Sequence, residues 1–73
     1  MATRFPHRKA LAQAIRTFRK KAELTQEELG EAAELNPKYI GEVERTEKTI
    51  SFDALVRISK ALKVRVRDLV QNV

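Results

Sequence analysis

Two helix-start signals around a single glycine constrain this chain more than anything else in it. In LTQEELGEAAELNPKYIGEVER, residues 24–45, Thr25 stands three positions before Glu28, and Asn36 stands directly before Pro37. A Thr-x-x-Glu box starts a helix because each side chain satisfies a backbone N–H that the first turn leaves free. Asn before Pro starts a second helix. Asn accepts from the first turn, and Pro fits where its missing N–H costs nothing. The segment therefore reads as two short helices joined by a tight corner. Gly30 falls where the two helices cross, and a larger side chain there would clash. Leu29, Ala33, Leu35, Ile40 and Val43 supply an apolar seam against the rest of the chain. Counted from Gln26, these six residues hold positions 4, 5, 8, 10, 15 and 18 of a twenty-residue unit ending at Arg45.

The flanks extend the same pattern. Residues 6–22 predict a first helix, with Pro6 in its first turn and Leu11, Ile15, Phe18 and Ala22 at helical spacing. Ser51 caps a fourth helix with Phe52, Leu55, Ile58 and Leu62 on one face. Residues 66–70 form a short fifth. No strand pattern is present, so the expected fold is all-α, five helices in one domain spanning residues 1–73. A chain of 73 residues buries a modest core and has a net stability of only a few kcal/mol.

Several function classes are excluded. The chain has no Cys, and a lone His7 cannot build a zinc site, so no metal or cofactor is expected. The longest apolar runs, about three residues, are far too short for a membrane span. Ser51, His7 and Asp53 are not ordered into a triad, and no glycine-rich phosphate loop occurs, so the chain is not expected to be an enzyme. The acid-free basic N-terminus has the composition of a leader. Its apolar stripe belongs to the core, however, and a cytoplasmic protein is expected. The sequence shows no ligand pocket, so it implies no effector.

The net charge is +5 and the pI about 10.0, which suits an acidic partner such as nucleic acid. The charge is unevenly spread. Residues 1–22 hold seven Lys or Arg and no acid, and residues 51–73 hold five basic and two acidic residues. Residues 23–50, by contrast, hold eight Glu against Lys38, Arg45 and Lys48.

LTQEEL, NPKYIGEVER and SFDALVRISKALKV together resemble the phage-repressor and Cro class of DNA-binding domains, the XRE type, over residues 8–70. The resemblance implies a five-helix domain that binds double-stranded operator DNA as a homodimer and regulates transcription, with helix three in the major groove. Matched position by position, it makes Pro37, Lys38, Tyr39, Gly41 and Glu42 base-contact candidates. Lys38 suits guanine O6 and N7, and Glu42 suits cytosine N4. It makes Thr25, Gln26, Asn36, Arg45, Thr46, Lys48 and Thr49 phosphate-contact candidates. It also implies that Arg19 and Glu44 form an ion pair between helices one and three. Two departures stand out: Glu34 and Thr46 replace glycines that the class usually has. If both adopt left-handed backbone, each costs about 1 kcal/mol. Helix five also has Arg65 where a Ser or Thr cap is usual.

Glu27, Glu31 and Glu34 share one face of helix two. In some members of the class such a patch touches a polymerase sigma factor; a solvated face is the plainer reading. Val66, Val70 and Val73 give the terminal helix a second apolar side, expected to be a homodimer interface. A rival reading, favoured by the acidic middle segment, is a protein-interaction module, antitoxin-like or without DNA affinity.

Overall fold

A computed structural model describes residues 5–73. Five helices are formed: α1 (Pro6–Lys21), α2 (Gln26–Ala33), α3 (Pro37–Glu44), α4 (Phe52–Leu62) and α5 (Val66–Val70), with no strand among the described residues. The local signals act as the chemistry requires. Thr25 Oγ1 accepts from Glu28 N at 3.0 Å while Glu28 Oε1 accepts from Thr25 N at 2.9 Å. Asn36 Oδ1 accepts from Lys38 N at 2.8 Å, and Ser51 Oγ from Ala54 N at 3.1 Å. The Arg65 side chain makes no cap; Asp68 instead accepts from Arg65 N at 2.9 Å.

Four helix ends share one device. Glu23, Glu34, Thr46 and Lys63 have left-handed backbone, with φ of 58, 58, 63 and 60°. Each is followed by an N–H that reaches a carbonyl five residues back: Leu24 to Arg19 at 3.1 Å, Leu35 to Gly30 at 2.8 Å, Glu47 to Glu42 at 2.8 Å and Val64 to Ser59 at 3.0 Å. These are Schellman closures, in which a left-handed residue turns the chain and satisfies the last carbonyls. Neither glycine has a positive φ. The strain expected at Glu34 and Thr46 is therefore present, and Glu23 and Lys63 add to it.

The core is one cluster drawn from all five helices. Ile15, Leu29, Ile40, Ile58 and Leu69 are almost wholly inaccessible. α2 packs on α3 and α4, while α1 packs on α3, α4 and α5. α3 is thus held from behind by two helices. Two expected core positions are corrected. Ala22 lies outside α1 and is exposed, because the helix ends at Lys21 and turns away through Glu23; Ala12 and Arg19 are buried instead. Phe52 is 74% exposed. At about 100° per residue, the first position of α4 sits roughly 90° from the centre of the face that Leu55, Ile58 and Leu62 bury.

No helix among the described residues is long and apolar enough to cross a membrane.

Candidate nucleic-acid interface

The α2–α3 corner is closed by backbone rather than side chains. A Cβ on Gly30 would lie 2.7 Å from the Leu35 carbonyl oxygen and 3.1 Å from Pro37 N. No flexible group is there to yield, so any other residue must push α3 off its seat. Leu29, Ala33, Ile40 and Val43 are buried and Leu35 is half-buried, as the spacing predicted.

A charged clamp fixes α3 from the other side. Arg19 Nε donates to Glu44 Oε2 at 2.7 Å and Nη2 to Oε1 at 3.0 Å, a two-pronged pair. Arg19 Nη1 also donates to the Leu24 carbonyl at 2.8 Å. The Glu44 side chain is 3% exposed and that of Arg19 10%. The two charges are therefore withdrawn from solvent together. Burial alone would push the Glu44 carboxyl up. Hydrogen bonds from Arg19 and Gln26, with the charges of Arg19 and Arg16, outweigh it and hold that carboxyl below its ordinary value. The hydrogen bonds that Arg19 donates to Glu44 raise Arg19 against the opposing effect of its burial.

Gln26 is the member of this clamp that the sequence did not reveal. Its Nε2 donates to Glu44 Oε1 at 3.1 Å, so the first residue of α2 is tied to the last of α3. Gln26 was a phosphate candidate; in the free protein its amide serves the clamp. Tyr39 has a similar surprise. It is half-buried against the core, and its hydroxyl accepts from Ser51 N at 3.2 Å, joining α3 to the start of α4. A pair twelve residues apart leaves no periodic signature.

The remaining candidates divide by exposure. Thr25, Asn36, Pro37, Lys38, Arg45, Lys48 and Thr49 are exposed, and Glu42 and Thr46 are half-buried. Glu42 lies 3.9 Å from Lys48 Nζ. Gly41, also a base-contact candidate, is buried in the free protein. Its missing side chain makes room for its own neighbours, since a Cβ would lie 3.0 Å from Arg45 Nη1 and 3.2 Å from Gln26 Oε1. Arg45 in turn is forked by Glu47, Nε to Oε2 at 2.9 Å and Nη2 to Oε1 at 3.1 Å. Those bonds raise Arg45 and hold Glu47 below the usual carboxylate range. A separation of two is not a helical contact distance; the left-handed Thr46 brings this pair together.

Glu27, Glu31 and Glu34 are all exposed on α2. Val66 and Val70 are half-buried and pack on the protein's own core, while Val73 is 58% exposed.

Five helices, a glycine-locked corner and a supported third helix with a polar exposed edge define a helix-turn-helix domain. The chain belongs to the helix-turn-helix family, XRE type, whose family model matches residues 15–69. It is a family of DNA-binding transcription regulators, not of enzymes. The chain is 39% identical to the control protein C.SmaI of Serratia marcescens over 59 residues, covering 81% of this chain and 70% of that protein. Among solved structures it is similar to the clp gene regulator ClgR from C. glutamicum, with 37% identity, a TM-score of 0.84, and 89% and 83% of the two chains covered. It is also similar to the restriction-modification controller protein C.AhdI from Aeromonas hydrophila, with 29% identity, a TM-score of 0.83, and 85% and 94% covered.

Proposed function

We propose that this protein is a cytoplasmic regulator that binds a two-fold symmetric operator as a homodimer, with α3 of each copy in the major groove. The observation that carries this reading is the mounting of α3. Its rear is fixed by Gly30, the Arg19–Glu44–Gln26 clamp and Tyr39, while Pro37 and Lys38 at its N-terminal end stand in solvent. A recognition helix needs that combination, because base contacts lose their geometry if the helix can rock. Lys38 reads guanine and Glu42 reads cytosine. Tyr39 meets a thymine methyl or a phosphate, and Pro37 lies against the base edges. Gly41 lets Arg45 lie flat on α3. Thr25, Gln26, Asn36, Arg45, Thr46, Lys48 and Thr49 meet phosphates, largely from helix starts and the α3–α4 loop. Val66, Val70 and Val73 meet their symmetry mates, with Val73 the most available of the three.

Selection from a random duplex pool is the decisive experiment. Enriched fragments should carry an inverted repeat with half-sites about one helical turn apart. Affinity should fall steeply with salt. Absence of enrichment, or single unpaired half-sites with a monomer in sedimentation, would overturn the reading.

The exposed Glu27, Glu31 and Glu34 favour a second role, contact with a polymerase sigma factor. Changing all three to Gln should abolish activation and leave operator binding intact. Unchanged activation makes the stripe a solvated face. If DNA is not bound at all, the same stripe is the natural surface of a protein-interaction module.

A further inference from the structure

A cavity of about 330 Å³ opens between α1, the end of α3, the 48–51 loop and the start of α4. That volume lies within the usual range for small-ligand pockets, about 300–1,000 Å³. Leu11, Val43, Ile50 and Leu55 line it with hydrocarbon, and its charged lining residues, Arg8 and Lys48, are both cations. Among the described residues no carboxylate belongs to the lining, and Glu42 lies beside it, 3.9 Å from Lys48 Nζ.

Two further features at this place call for an occupant. Arg8 Nε is buried and has no hydrogen-bond partner, alone in this among the described residues. The Arg8 guanidinium carbon lies 4.4 Å above the Phe5 ring centroid, a π face that attracts the charge but offers no lone pair. An N–H shielded from water without an acceptor is a lost interaction, which an oxygen entering with a small shift of the Arg8 side chain would restore. Phe52, at the cavity wall, is 74% exposed, an aromatic face that nothing among the described residues covers.

We propose that this cavity binds a small amphipathic organic anion, a carboxylate on a short aliphatic body. The hydrocarbon would lie over Leu11, Val43, Ile50 and Leu55 and against Phe52. The head group would meet Arg8. A free phosphate fits less well, because it leaves the apolar lining bare. Sequence alone did not suggest the site, because three separate helices and a loop build it.

Octanoate and 1-octanol, which share a chain and differ in charge, separate the possibilities on the ¹⁵N-labelled full chain. Octanoate should saturate a single site, shift the amides of Leu11, Val43, Ile50 and Leu55, and bind about tenfold more tightly than octanol, the usual scale of a charge-assisted contact. Arg8→Met keeps the apolar stem and lies outside the DNA-contact set. It should bring octanoate down to the octanol affinity while the melting temperature holds. Equal affinity of the two compounds for the unsubstituted protein would overturn the proposal, as would unsaturable or scattered shifts. Dependence of those same amides on protein concentration without ligand would also overturn it, and would make a second copy the occupant.

Discussion

Replacing Arg19 by Met should unfold much of what holds α3 to α1. The substitution keeps the apolar bulk and deletes three hydrogen bonds: two to Glu44 and one to the Leu24 carbonyl. The Glu44 side chain, 3% exposed, would remain buried with only Gln26 as a donor. Stranding one charge of a buried pair costs about 3–5 kcal/mol, whereas a surface pair is worth about 0–1 kcal/mol. A domain of this size has roughly 4–11 kcal/mol in all. The loss should therefore lower the melting temperature by more than 10 °C, at about 4–8 °C per kcal/mol. Urea unfolding followed by helical circular dichroism reads the free energy directly. A double substitution, Arg19→Met with Glu44→Leu, should recover most of the loss, because nothing charged is left behind.

The pH dependence gives a second reading of the same clamp. The folded-state value of Glu44 is depressed, so its contribution is complete above the unfolded Glu value of about 4.3 and is lost as pH falls through the lower folded value. The gap between wild type and Arg19→Met should accordingly narrow in acid, and Glu44→Gln should lack this component of the acid loss. A cost below 1 kcal/mol for Arg19→Met at neutral pH, or a gap independent of pH, would refute the reasoning.

Three other outcomes follow from the corner and its loop. Glu34→Gly and Thr46→Gly should each stabilise by up to about 1 kcal/mol in thermal melts, since both residues hold left-handed backbone that glycine adopts freely. Gly30→Ala should destabilise by about 1–3 kcal/mol and weaken operator binding, because its Cβ meets the Leu35 carbonyl at 2.7 Å; wild-type stability would show that the corner yields. Glu47→Gln should tighten DNA binding severalfold and steepen its salt dependence, because it releases Arg45 for a phosphate; weaker binding in filter or mobility-shift assays would instead make Glu47 a positioning residue.

The helix starts were legible residue by residue. Thr25 with Glu28, Asn36 with Pro37, and Ser51 are local chemistry, each decided by atoms within three positions, and no packing is needed to read them. The apolar spacing of Leu29, Ile40, Ile58 and Leu62 was equally plain, since a helical face is set by the repeat of the backbone. Phe52 fell outside that face because the first position of α4 lies roughly 90° from the centre of the side that Leu55, Ile58 and Leu62 bury.

The sequence by itself therefore determined the five helices, the tight corner and the seam that makes them a helix-turn-helix domain. The tertiary structure alone decided which candidate residues are engaged within the molecule: Gln26 on Glu44, Tyr39 on Ser51, and Gly41 beneath Arg45. It alone also built the cationic cavity behind the loop. Caps and periodicity depend on covalent neighbours, whereas these contacts join helices that only the collapse of the shared apolar core brings within hydrogen-bonding distance.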